Sequence, residues 1–202
     1  MNFTTEWFDR HMPLFEKHLS HLKGVPNLNF LEIGSFEGKS SCWLLDNVLT
    51  DPSCHLFCAD TFEGSPEHDP MRVDYTKIYD TFMENVRSHG NKVVVLKGIS
   101  QDMIRDLPLR YYDFVYIDGS HYGSDVLEDA VISWRLLKSG GIMAFDDYFW
   151  SFWTNRFGED GKVVDEDDYL KEPKIAIDAF INIFRGQYEA LTMQDQVWIK
   201  KI

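Results

Sequence analysis

LEIGSFEGKSS, residues 31–41, sets a short apolar run against a turn bearing two glycines and then a segment with a helical pattern. Phe30–Ile33 is nearly continuous in apolarity, as expected of a strand covered on both faces. Gly34 and Gly38 bracket the loop, and Lys39–Val48 continues as an amphipathic helix. A strand, a glycine loop and a helix in this order resemble a dinucleotide site. Laid on G-x-G-x-x-G, however, the second glycine falls on Phe36 and the third on Lys39. That second glycine lets backbone touch a pyrophosphate, and a phenylalanine there obstructs the approach. The loop therefore suits a nucleoside without a diphosphate. Asp60, 28 residues after Glu32 (60 − 32), is placed to accept both ribose hydroxyls of such a nucleoside. The plainer alternative is a tight turn at Gly34 and Gly38 with Asp60 capping a helix.

The same alternation runs through the chain. Further strand-like runs are His55–Ala59, Val93–Leu96, Phe114–Ile117 and Ile142–Phe145, separated by helical patterns at Tyr75–His89, Gln101–Asp106 and Ser124–Leu137. In the last, Val126, Leu127, Ala130, Val131, Trp134 and Leu137 mark one apolar face. Such alternation predicts a doubly wound α/β fold with a parallel sheet. A helix over Lys174–Phe184 then leads to two strand-like runs, Tyr188–Met193 and Gln196–Ile199, separated by Gln194-Asp195 alone; these must pair as an antiparallel hairpin. The expected sheet has seven strands, mostly parallel, with that hairpin at its end. In open parallel sheets ligands bind beyond the carboxyl ends of the strands. There the sequence places Glu32-Ile33-Gly34, Asp60, Gly98, Asp118 and Asp146-Asp147.

Length and composition fit one globular domain over residues 1–202, with 44% hydrophobic and 26% charged residues. No apolar run approaches the roughly 20 residues that cross a bilayer, and the N-terminus has no signal-peptide core. Cys42, Cys54 and Cys58 lack CxxC spacing and read as reduced, buried thiols in a cytoplasmic setting. A net charge of −13 argues against nucleic acid or anionic membrane as partner. Residues 159–168, EDGKVVDEDD, read as a solvated loop.

E-x-G-x-x-x-G after the first strand, an acid ending the second and the terminal hairpin resemble the Rossmann-like class I S-adenosylmethionine-dependent methyltransferases. The resemblance covers about Asn27 to Ile202. It sharpens at VVVLKGISQDMIRDL and FVYIDGSHY…LLKSGGIMAFDDY, which are similar to metal-dependent O-methyltransferases of the catechol and especially the macrolide-sugar (macrocin- and mycinamicin-like) type. This likeness implies a cofactor site at Glu32, Gly34, Ser35, Phe36, Gly38, Ser40, Asp60, Thr61, Gly98, Ile99, Ser100 and Asp118. Glu32 through Ser40 would line the methionine end, Asp60 the ribose, and Gly98, Ile99 and Ser100 the adenine.

Asp118, Asp146 and Asp147 end neighbouring strands, so their carboxylates can converge. Three such charges a few ångströms apart repel by several kcal/mol at an effective dielectric of about 20. Arg and Lys are scarce in these segments, which makes a hard divalent cation the economical neutralising partner, Mg²⁺ first, with Mn²⁺ or Ca²⁺ as alternatives; the plainer alternative has one Asp capping a helix and the others solvated. In the similar enzymes the matching positions bind the metal. His121, three residues from Asp118, is then the expected base for a hydroxyl acidified by that cation; capping the helix from Gly123 is its structural alternative. The expected reaction is transfer of a methyl group to a hydroxyl of a small molecule such as a sugar, macrolide or catechol.

Residues 61–75 and 148–171 are expected to cover the acceptor. The second carries Tyr148, Phe149, Trp150, Phe152, Trp153 and Phe157, suited to stacking, to core or to a dimer contact. Residues 1–24, with Trp7, Phe8, Leu14, Phe15 and Leu19, read as an amphipathic helical segment that serves as a lid, as a homodimer contact or, equally, as simple packing on the sheet. Arg72 and Lys77 could meet an acidic acceptor. Three other readings stay open: an NAD-linked oxidoreductase, which Phe36 and Lys39 disfavour; a cephalosporin-hydroxylase-like enzyme; and a non-catalytic cofactor-binding subunit.

Overall fold

A computed structural model describes residues 1–64, 74–150 and 172–202. The apolar runs become strands β1 (Asn29–Ile33), β2 (His55–Asp60), β3 (Val93–Lys97), β4 (Tyr112–Ile117) and β5 (Leu137–Phe145), with β3 the half-exposed edge. These five pair in parallel, and β7 (Val197–Lys201) joins β5 antiparallel, with β6 (Tyr188–Met193) outside it. The seven strands lie in the order β3-β2-β1-β4-β5-β7-β6. Both the parallel core and the terminal hairpin follow the sequence expectation.

Alternation along the strands sorts the core into two layers. Phe30, Phe114, Tyr116, Ala144 and Trp198 face one side; Phe15 of α1 (Met12–Leu19), Leu44 of α2 (Lys39–Asn47) and Phe82 of α3 (Ile78–Val86) pack there. Leu31, Val115, Ile117, Met143, Phe145 and Ile199 face the other, under Trp134 of α5 (Gly123–Leu136) and Phe180 of α6 (Pro173–Ile183). Phe15 is the hub of the first layer, with its ring 4.9 to 6.0 Å from those of Phe8, Trp43, Phe114, Tyr116 and Trp198. The three cysteines are buried free thiols.

Several element bounds differ from the expectation. The Tyr75–His89 pattern divides into a 3-10 turn at Tyr75–Lys77, α3, and further 3-10 turns through Lys92. The segment after β3 is one helical turn, α4 (Ser100–Met103), not a helix to Asp106. Pro108 disfavours helical backbone at Leu107 and so opposes its extension. Leu137 begins β5 instead of ending α5, because its backbone is extended and it pairs with Tyr112. Val131, expected on the apolar face of α5, is 42% exposed. No described helix is long and apolar enough to cross a membrane.

Candidate functional site

The carboxyl ends of β1, β2, β4 and β5 open on a cavity of about 1040 Å³, just above the ~300–1,000 Å³ range of small-molecule sites. Its floor is the glycine loop. Gly34 sits at φ +84°, and a Cβ there would lie 1.9 Å from the Asp118 carbonyl oxygen, so only glycine lets the β1 and β4 ends approach. Phe36 also takes a left-handed backbone, at φ +48°, and its ring packs 5.3 Å from Trp7. Gly38, at φ +82°, precedes α2.

Two acids hold this loop from behind. Asp60 Oδ2 accepts the Ser35 and Phe36 amides at 2.7 and 2.8 Å, and Oδ1 accepts the Phe62 amide at 2.6 Å. The residue expected to bind ribose thus also fastens the glycine loop to β2, while lining the cavity. Glu32 does not reach the cavity wall. It is fully buried and accepts the hydroxyls of Ser35 and Ser40, each at 2.6 Å, and of Ser41. Burial pushes its carboxyl above the usual range, against the lowering effect of those hydroxyls. It is therefore an internal bracket for the loop and not a surface for the methionine end. Gly38 is likewise absent from the wall, whereas Gly34, Ser35, Phe36, Ser40, Thr61, Gly98, Ile99, Ser100 and Asp118 all line it.

The sheet ladder continues one step past the strand ends: the Asp118 amide donates to Ile33 and the Asp146 amide to Ile117. This register brings Asp118, Asp146 and Asp147 together, with one carboxylate oxygen of each within 4.8 Å of the others. Burial, then the Asp146 and Asp147 charges, push the Asp118 carboxyl well above its ordinary range; burial and then Asp147 raise Asp146. The cost is that of crowding anions in a poorly solvated place. An all-oxygen donor set under such mutual repulsion fits a hard divalent cation, and these three residues would hold it.

The cluster has other partners. Tyr116 donates its hydroxyl to Asp146 Oδ2, and the Asp147 amide donates to Oδ1 at 2.7 Å. His121 Nε2 meets Asp147 Oδ2 at 2.8 Å, not Asp118, and its ring stacks on Trp150 at 4.3 Å. His11 Nε2 lies 3.5 Å from Asp146 Oδ1, and Arg10 Nη2 lies 3.7 Å from both Asp147 and Asp195. Positive charge thus does reach the acids, from the far end of the chain. Arg10 and His11 carry no local signal in the sequence. Tyr116 did: a tyrosine on a buried strand face needs a partner for its hydroxyl, and it stands two residues before Asp118.

Phe3, Thr5, Glu6, Trp7, Phe8, Arg10 and His11 form one wall of the cavity. Thr4 donates its amide and hydroxyl to Glu37 at 2.6 and 2.9 Å, and Lys39 Nζ reaches Thr5 O and Asp9 at 3.2 and 2.6 Å. Gln101 and Asp125 are further wall residues outside the expected set. Of the expected acceptor-side segments, 65–73 and 151–171 lie outside the described residues, and with them Arg72, Phe152, Trp153 and Phe157. Lys77 is exposed and pairs with Asp74 at 2.7 Å, and Tyr148 bonds Asp178 at 2.7 Å.

Residues 31–148 match a family described as methyltransferase domain. An uncharacterized protein of Acanthamoeba polyphaga mimivirus is 27% identical over 151 residues, 70% of this chain and 60% of that protein. The chain thus spans about three fifths of the length of that curated relative. Among solved structures, a putative caffeoyl-CoA O-methyltransferase from Staphylococcus aureus superposes with a TM-score of 0.61 at 17% identity, over 99% of this chain and 85% of its own. TomG, an O-methyltransferase from Streptomyces achromogenes solved with SAM, gives 0.62 at 15% identity over 98% and 81%. MycE from the mycinamycin pathway, in complex with Mg, SAH and mycinamycin VI, gives 0.61 at 15% over 99% and 50%. At these identities the likeness is one of fold.

Proposed function

The chain belongs to the methyltransferase-domain family, and from that premise we propose that it is an S-adenosylmethionine-dependent, divalent-cation-dependent O-methyltransferase acting on a hydroxyl of a small molecule. The observation that carries this reading is the convergence of Asp118, Asp146 and Asp147 within 4.8 Å at the edge of a cavity floored by a glycine loop. Structures of similar fold were solved with SAM, or with Mg and SAH.

Ser35, Phe36, Ser40 and Asp60 would embrace the amino-acid and ribose parts of the cofactor, and Gly98, Ile99 and Ser100 its adenine. The cofactor supplies a methyl group activated by its sulfonium. Asp118, Asp146 and Asp147 would hold the cation, which when bound makes a nearby hydroxyl more acidic. His121, which lines the cavity beside the acids, would take the acceptor's proton. In the present structure its Nε2 is directed at Asp147. That contact holds the ring in place, and the same carboxylate would stabilise the imidazolium. The acceptor oxygen forms a bond to the methyl carbon as the carbon–sulfur bond breaks. The bond's electron pair leaves on sulfur, giving S-adenosylhomocysteine. Trp7, Trp150 and the N-terminal wall would position the acceptor and keep water out, which is where much of the rate in such a transfer arises.

Calorimetric titration of S-adenosylhomocysteine with and without Mg²⁺, followed by a screen of hydroxylated acceptors, tests this reading. Saturable binding and methylation that disappears with chelator are expected. Lack of binding in either condition overturns the cofactor assignment, and full turnover in chelator overturns the cation assignment.

A further inference from the structure

Behind the adenine end of the cavity lies an acid that the proposed reaction does not use. Asp129, on α5, is 1% exposed and is absent from the cavity wall. Its Oδ2 accepts the Ser100 hydroxyl at 3.0 Å, and Ser100, the first residue of α4, does line the cavity. Its Oδ1 is buried with no hydrogen-bond partner, and so is the Ser133 hydroxyl one helical turn further on. A buried carboxyl with one oxygen unsatisfied is costly in its ionised form. The groups that face it do not offset that cost. From its own helix come Asp125 and Glu128, both raising, and Glu128 is itself paired with Arg105 at 3.2 Å; from α4 come the Ser100 hydroxyl and the Gln101 amide, both lowering, the amide donating to the Asp125 carbonyl at 3.4 Å. No cation is among them. Burial, chiefly, brings the Asp129 carboxyl up to about 7.

We propose that Asp129 is a positioning residue for cofactor binding, setting whether the Ser100 hydroxyl accepts or donates a hydrogen bond at the nucleobase. As a carboxylate, Asp129 must receive the Ser100 proton, leaving only lone pairs of Ser100 directed at the cavity. That arrangement suits the exocyclic amine of adenine, which is a donor. As a neutral acid, Asp129 can itself donate to Ser100 or Ser133, and the Ser100 proton is then released toward the cavity, where it opposes the amine. The inference rests on the adenine placement proposed above.

The test is calorimetry of S-adenosylhomocysteine between pH 5.5 and 8.5, compared with S-inosylhomocysteine, whose 6-oxo group is an acceptor. For the wild type, affinity for the adenine ligand should rise about tenfold across this range and that for the inosine ligand should not. Asp129→Asn should flatten the adenine profile, and Ser100→Ala should flatten it equally while leaving the acid in place. A purely structural role for Asp129 would lower affinity at every pH without changing the profile's shape. An Asp129→Asn profile parallel to the wild type, or a Ser100→Ala profile as steep as the wild type, overturns the proposal. Absence of wild-type binding to either ligand overturns the cofactor reading, and this inference with it.

Discussion

His121 and Asp147 meet at 2.8 Å beyond the ends of two neighbouring strands, with Trp150 stacked on the imidazole. An imidazole held by a carboxylate on one side and an indole on another has few orientations open to it. His121→Gln should therefore lower kcat by about 10²–10⁴, the usual worth of a positioned general base, while S-adenosylhomocysteine affinity stays unchanged; steady-state kinetics beside calorimetry check both. Asp129 also bears on stability without ligand. Its folded pKa is raised from 3.8 to about 7, so the folded state binds more protons than the unfolded chain between these values. Stability then falls as pH rises through about 4 to 7, by at most ~4 kcal/mol from this group. Denaturant unfolding across that window should show the fall in the wild type and a shallower one in Asp129→Asn. An identical slope in both would contradict it.

Among the elements, the turn from β1 into α2 is the tightest joint. The close approach at Gly34 leaves no room for a side chain, so Gly34→Ala should cost roughly 2–5 kcal/mol through backbone strain and a forced shift of the β4 end. The urea midpoint should drop with little change in m. This joint was legible in the sequence because glycine spacing after an apolar run has few structural explanations. The central strands β1 and β4 were legible for a similar reason, being almost wholly buried and so written as short apolar runs. Glu32 was not. A carboxylate ending a strand looks the same in sequence whether it faces a ligand or three serines of the following helix and loop, and here Ser35, Ser40 and Ser41 claim it. Val131 was misplaced because periodicity marks a face without fixing its width. The start of β5 was hidden because Lys138, Ser139 and Gly140 carry no apolar signal, and only pairing of Leu137 with Tyr112 reveals it.

Across the whole molecule, the site joins parts of the chain that no local pattern links. Arg10 and His11 approach acids more than 130 residues away in sequence, and this closeness follows from how α1 docks, with Phe15 set among the first-layer aromatics. The sequence scarcity of basic residues near Asp118 and Asp146 therefore did not mean scarcity in space. Even so, Arg10 is 3.7 Å from its acids and shared between Asp147 and Asp195, and His11 stands 3.5 Å from Asp146. Contacts of that length do not discharge three carboxylates gathered within 4.8 Å. A bound dication would do so.

The most direct measurement is crystallographic: soak the protein in Mn²⁺ and collect anomalous data. The expected result is a peak among the carboxylates of Asp118, Asp146 and Asp147, lost in Asp146→Asn. A map with no anomalous density there, with Arg10 and His11 alone engaging the acids, would contradict it.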